Sequence, residues 1–213
     1  TFTLHGPDGV RAAARIPLPG EFNVANAVLA AAILSTAGVG VEHIVAGLAQ
    51  VQVPGRMERV YVGQEFTAVV DYAHKPAAVA QGLDALRART EGRIITVLGC
   101  GGDRDTAKRP MMGEAAARRS EVLIVTDDNP RSEDPAAIRA AMLAGARAVG
   151  PAEGGEVIEI GDRREAIAHA VSLAEPGDIV FLAGKGHESG QEAGGVVHPF
   201  SDRDELAAAI RNK

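Results

Sequence analysis

Five short apolar runs, Phe66 to Val70, Ile94 to Leu98, Val122 to Val125, Val157 to Ile160 and Ile179 to Leu182, recur along the chain with helix-patterned stretches between them. Runs of this length and β-branched content read as buried strands. Strands separated by helices pair in parallel, the helices cover both faces, and right-handed crossovers link them. The expected fold is therefore α/β, a Rossmann-like and mostly parallel sheet. The intervening helices are legible too. Pro76 to Arg89 places Val79, Leu83 and Leu86 on one side, Asp134-Pro135 and Asp162 cap two more helices, and Asp202 begins the last.

The residues ahead of Val53-Pro54-Gly55-Arg56 follow a different pattern. Thr1 to Ile16 reads as a hairpin around Gly6-Pro7-Asp8-Gly9, where Pro presets φ and Gly takes the left-handed position. Asn23 is the expected N-cap of a helix whose apolar face is Val24, Ala27, Val28, Ala31 and Leu34, ended by Gly38. A second short helix spans Val41 to Leu48. The Pro-Gly break then sets the expected boundary, with residues 1–53 as one segment and 54–213 as a domain. The chain opens Thr1-Phe2-Thr3, without Met and already in strand-like sequence, and so reads as part of a longer protein.

Composition narrows the function classes. Aromatic residues make up 3% with no Trp, and the net charge is -6, which disfavours base-stacking platforms and a phosphate-tracking surface. No nucleic-acid partner is expected. The most apolar stretch, Ala27 to Val41, is too short for a bilayer, so no membrane partner is expected either, and the single Cys100 suits a reducing, cytoplasmic compartment. Of the 22 basic residues only Lys75, Lys108, Lys185 and Lys213 are lysine, and the first three fall in the motifs described below. A compact ammonium matters most where it meets phosphate or carboxylate.

Open parallel sheets bind ligands beyond the carboxyl ends of their strands. Four of the five runs end there in polar clusters: Asp71-Tyr72-Ala73-His74-Lys75, Gly99-Cys100-Gly101-Gly102-Asp103-Arg104-Asp105, Asp127-Asp128-Asn129-Pro130-Arg131 and Gly184-Lys185-Gly186-His187-Glu188. The glycines of the second cluster read either as a phosphate cradle or as a tight strand-to-helix turn, and no P-loop occurs anywhere in the chain. Asp128, Asn129 and Arg131 on a Pro-stiffened loop combine what an amino-acid zwitterion needs: an acceptor for ammonium, a bridging amide and a fork for carboxylate. The alternative is an Asx turn with Arg131 solvated. Lys185 and Glu188 form either a ligand contact on a glycine-hinged loop or a surface salt bridge. His74 and Lys75, ahead of Pro76 at a helix start, are placed to receive phosphate charge.

Six ordered motifs together resemble the carboxy-terminal part of the Mur ligase family: Phe22-Asn23-Val24-Ala25-Asn26, Pro54-Gly55-Arg56-Met57-Glu58, Asp71 to Pro76, Gly101 to Asp105 with Lys108-Arg109-Pro110, Asp128 to Arg131, and Gly184 to Glu188. The resemblance implies an ATP-dependent amide ligase of peptidoglycan synthesis, in the branch that adds meso-diaminopimelate to a UDP-N-acetylmuramoyl dipeptide through an acyl phosphate. It implies that residues 1–53 end a central ATPase domain, and that 54–213 form the amino-acid-binding domain. An amino-terminal domain and most of the ATPase domain would then lie outside this chain. By the same resemblance Asn26, Arg56 and Asp71 contact ATP, and His74 and Lys75 lie near its phosphates as catalytic residues. Arg104, Asp128, Asn129, Pro130, Arg131, Gly184 and Glu188 hold meso-diaminopimelate. Magnesium is implied as well, with ligands in the absent part and none placed here. One departure is Gly190, where the family commonly has an aromatic residue. A stand-alone amino-acid-binding module and a folylpolyglutamate-synthase-like ligase are the competing readings.

Overall fold

The computed structural model describes residues 1–213, which divide into two compact units, Thr1–Val53 and Pro54–Lys213. In the first, strands β1 (Phe2–His5) and β2 (Arg11–Ala14) pair antiparallel around a 3-10 turn at Pro7–Gly9, with Gly9 at φ 75°. Helices α1 (Glu21–Thr36) and α2 (Val41–Leu48) follow, and Ala14, Ala27, Ala31, Ile44 and Leu48 make a small core. Asn23 does not cap α1. Gly20, at φ 96°, occupies the cap position, while Asn23 is buried inside the first turn and donates through Nδ2 to the Pro19 carbonyl at 2.7 Å. The buried side of α1 is Asn23, Ala27 and Ala31, one every fourth residue, and the expected face members Val28 and Leu34 are exposed.

The second unit holds strands β3 (Glu58–Val60), β4 (Thr67–Asp71), β5 (Ile94–Leu98), β6 (Val122–Val125), β7 (Glu156–Glu159), β8 (Ile179–Ala183), β9 (Gly190–Ala193) and β10 (Val196–Pro199). Its helices are α3 (Pro76–Arg87), α4 (Lys108–Ala117), α5 (Pro135–Ala148), α6 (Arg163–Leu173) and α7 (Asp202–Arg211). The main sheet has order β3-β4-β8-β5-β6-β7, parallel except for the edge strand β3. β3 carries no sequence signal because it is only three residues long and pairs locally with β4.

Alternating side chains of each strand feed two cores. Ile94 and Leu98 of β5, with Ile179 and Phe181 of β8, pack toward α3, α4 and α5; Ile95, Val97, Val180 and Leu182 pack toward α6 and α7. The winding reverses after β7, because α6 returns the chain along the opposite face and inserts β8 between β4 and β5. That reversal opens the crevice in which such sheets take ligands. Asp134 and Asp162 cap α5 and α6 as expected, and α7 begins at Asp202 as expected, with Ser201 as its cap. Asp202 is the first helical residue and is buried.

Candidate functional site

The loops after β4, β5, β6 and β8 converge on one cleft of about 570 Å³, lined among others by His74, Lys75, Arg104, Asp128, Asn129, Arg131, Gly184 and Glu188. A larger hollow of about 770 Å³ lies between Phe66, Leu173 and Lys213, away from these polar clusters. We assign the site by chemistry rather than volume, since a binding cleft is defined by polar groups converging on it.

Lys185 organises the floor. It is fully buried, and its Nζ donates to Asn129 Oδ1 at 3.0 Å and to Glu188 Oε2 at 3.2 Å, so the Lys185–Glu188 salt bridge forms, but on a buried lysine and not a surface one. Asn129 Oδ1 also accepts the Glu192 amide at 3.0 Å, which leaves Nδ2 to donate to Glu188 Oε2 at 2.8 Å. The amide orientation is thereby fixed by its neighbours. One carboxylate oxygen of Glu188 is held from behind by two donors. Beside it the Asp128 carboxyl is pushed above the usual carboxylate range by burial, against the pull of Arg163 and Lys185. A buried anion in that state is stabilised by an incoming cation. Gly184, at φ 114°, is required here, because a Cβ would lie 2.7 Å from Asp128 Oδ2.

Arg131 stands at the lip, in the left-handed region at φ 53°. Its Nη1 donates to the Gly102 carbonyl at 2.8 Å and its Nε lies 3.1 Å from Glu192 Oε2, so the solvated-Arg reading is excluded as well. The strain is held by backbone pairing: the Arg131 amide donates to Glu192 and the Gly194 amide donates to Arg131. Those partners belong to the β9–β10 hairpin, whose Gly194-Gly195 turn has both φ values positive. The Gly102 amide already donates to the Asn129 carbonyl, and a Cβ there would sit 2.0 Å from the Pro130 carbonyl. These contacts favour the tight-turn reading of Gly99 to Gly102 over the phosphate cradle. Arg104 is exposed, its Nη1 bonded only to the adjacent Asp103 carbonyl at 2.9 Å.

On the other side of the cleft the Asp71 carboxylate accepts the Met57 amide at 2.7 Å; burial raises its pKa, against the pull of that amide and of Arg56. Arg56 lies 4.8 Å over the Tyr72 ring, and Tyr72 contacts the rings of His74 and His187. His74 Nδ1 is 2.8 Å from the Tyr72 carbonyl, which can only accept, so Nδ1 carries a proton. Lys75 is exposed at the start of α3, and Lys108 Nζ donates to the His74 carbonyl at 2.8 Å. Asn26 belongs to the first unit, on the exposed side of α1.

Three features have no role that the residue pattern assigns. Arg163 is fully buried and pairs in a fork with Asp202, both bonds at 2.7 Å, while Nη2 also reaches the Ala183 carbonyl at 3.1 Å. Gln191 Nε2 holds the Asp128 carbonyl at 2.8 Å from the β9–β10 hairpin. Cys100 lines the cleft, yet burial pushes its thiol up to about 12, so it is not a nucleophile at neutral pH. The hairpin alone left a trace, a Gly-Gly pair between two strand-length segments.

Comparison with known proteins matches residues 55–186 to the family described as Mur ligase, glutamate ligase domain. The chain is 55% identical over 215 residues to UDP-N-acetylmuramoyl-L-alanyl-D-glutamate--2,6-diaminopimelate ligase of Corynebacterium efficiens, covering 100% of this chain and 41% of that protein. It is 57% identical over 212 residues to the Streptomyces coelicolor protein of the same name, covering 99% and 42%. A solved structure of a ligase of that name superposes with TM-score 0.69 at 40% identity, covering 99% of this chain and 42% of the other. The chain thus spans about two fifths of the length of the curated relatives it matches.

Proposed function

The chain belongs to the Mur ligase family of ATP-dependent amide ligases, and from that premise we propose that it is the carboxy-terminal part of an enzyme adding meso-2,6-diaminopimelate to UDP-N-acetylmuramoyl-L-alanyl-D-glutamate in peptidoglycan synthesis. In this reading residues 1–53 end the central ATPase domain, 54–213 receive the amino acid, and the compartment is the cytoplasm. ATP phosphorylates the D-glutamate side-chain carboxylate. An amine of diaminopimelate attacks the acyl carbon and loses a proton, the bond to phosphate breaks, and phosphate departs.

The observation that carries this reading is the cleft's division into an acidic floor and a guanidinium lip. Diaminopimelate is lysine with a further carboxylate on its far carbon, so its far end is a zwitterion. Asp128 and Glu188, with Asn129 between them, take the ammonium. Arg131 takes the carboxylate, held in place by the turn through Pro130, and Arg104 adds a second guanidinium from the exposed rim. Gly184 keeps the Asp128 carboxyl reachable. On the other side Arg56 and Asp71 serve the nucleotide, with His74 and Lys75, at the positive end of α3, toward its phosphates; Asn26, in the first unit, is a further nucleotide contact in this reading. Among the described residues no group of three or more His, Cys, Asp or Glu side chains is placed to hold a metal ion, and in this reading the magnesium ligands lie mostly in the part of the enzyme outside this chain.

Arg131→Ala in the complete enzyme tests the reading. A charge-assisted hydrogen bond contributes about 1.5–3 kcal/mol, so the KM for diaminopimelate should rise roughly tenfold to a hundredfold with the KM for ATP unchanged. An unchanged diaminopimelate KM overturns the assignment. Calorimetry on residues 1–213 separates ligase from binding module: weak or absent diaminopimelate binding supports a half-site completed by the other domains, and tight binding supports a stand-alone binder.

A further inference from the structure

We propose that Glu192 is an internal competitor for the ligand's distal carboxylate, and so sets both the affinity for diaminopimelate and its separation from lysine. The inference rests on the assignment of Arg131 as the carboxylate-binding residue. A guanidinium receives a carboxylate in two parallel bonds along one edge of its planar fork. In this structure the Nε edge of Arg131 faces the Glu192 carboxylate at 3.1 Å, and Nη1 is engaged by the Gly102 carbonyl at 2.8 Å. A ligand carboxylate arriving at the Nε edge of the fork must therefore displace Glu192.

The competitor is held in register by the backbone. The Glu192 carbonyl accepts the Arg131 amide, the Glu192 amide donates to Asn129 Oδ1, and the neighbouring Ala193 bridges to Arg131. The side chain itself is half-exposed and free to swing away, since Arg131 is its only ion-pair partner among the described residues. This arrangement changes how lysine is rejected. Were Arg131 alone at the lip, lysine would leave it without a partner and suffer a large penalty. With Glu192 beside it, Arg131 stays paired when lysine occupies the cleft, and the penalty shrinks to the pair's own worth. Diaminopimelate, conversely, gains only the difference between its carboxylate and the one it replaces.

Glu192→Gln in the complete enzyme removes the competing charge and keeps both backbone bonds. A half-exposed ion pair supports about a threefold to fivefold effect. The KM for diaminopimelate should fall by that factor, and the ratio of kcat/KM for diaminopimelate over lysine should widen by a similar one. Installed on Arg131→Ala, the same change should do nothing. An unchanged or raised KM for Glu192→Gln, or a lowered KM that persists without Arg131, overturns the inference. The two levels separate cleanly: if Arg131→Ala leaves the diaminopimelate KM unchanged, the functional reading fails, whereas if Arg131→Ala raises it and Glu192→Gln does not move it, only the competitor role fails.

Discussion

Two buried ionic clusters meet at the end of β8. Arg163 and Asp202 satisfy each other completely, in a fork of two 2.7 Å bonds with neither side chain exposed. Lys185, Asn129 and Glu188 form a triangle of single bonds at the edge of the cleft, with Glu188 partly exposed and Asp128 buried beside it. The first cluster also ties the Ala183 carbonyl, one residue before Gly184, and so fixes the backbone from which the second is built. A closed pair consumes its own charge and acts as a strut. An open one keeps acceptor capacity for a ligand. Burial alone does not separate the two, because Lys185 is as inaccessible as Arg163; the distinction lies in whether a partner remains to be supplied.

The comparison breaks most visibly at the strut. Asp202→Ala leaves the Arg163 guanidinium buried without its partner, and a broken buried pair costs about 3–5 kcal/mol. Its denaturation midpoint should drop accordingly, while Arg164→Ala, in the exposed Arg164–Glu205 pair on the same two helices, should leave the midpoint unmoved. Equal effects would mean the Arg163–Asp202 pair is not the strut described here.

Lys185→Met probes the open cluster and should separate binding from folding. Without the ammonium, Asn129 and Glu188 lose the group that orients them, and the diaminopimelate KM should rise about tenfold or more, as expected for a hydrogen bond to a charged group. Its midpoint should fall less than that of Asp202→Ala. A midpoint loss as large, with an unchanged KM, would make Lys185 a second strut.

The smallest effect is a pH dependence. Burial raises the Asp128 pKa in the folded protein, so between the ordinary carboxylate value of about 3.9 and that raised value the folded state binds more protons than the unfolded one. Stability contributed by this group therefore falls as pH rises through that window. Asp128→Asn removes the slope, and its stability relative to the parent should improve from acid toward neutral pH, read from denaturation midpoints at a series of pH values. A difference that is flat with pH would mean that Asp128 is ionised at no net cost.

Much of the candidate site was visible before any tertiary contact. The strands β4, β5, β6, β7 and β8 announce themselves as β-branched runs, and their terminal polar clusters fall on one rim because parallel strands all point their carboxyl ends the same way. The strand boundaries at Ile94–Leu98 and Val122–Val125 agree with the runs residue for residue. What failed was local: Asn23 has the composition of a cap but serves a loop carbonyl from inside the helix, since Gly20 already provides the turn. β3 is too short for periodicity to register.

The amino-acid sequence by itself determined the layered α/β architecture, the rim on which chemistry collects and the residue types able to grip a zwitterion, because hydrophobic period and turn chemistry act over a few neighbouring residues. Only the tertiary structure decided that Lys185 is a buried organiser rather than a surface charge, that Arg163 meets Asp202, and that Arg131 already holds Glu192. Those partners are 56, 39 and 61 positions apart in the chain or reach across separate loops, and their energies come from desolvation and fork geometry that exist only once the strands are assembled.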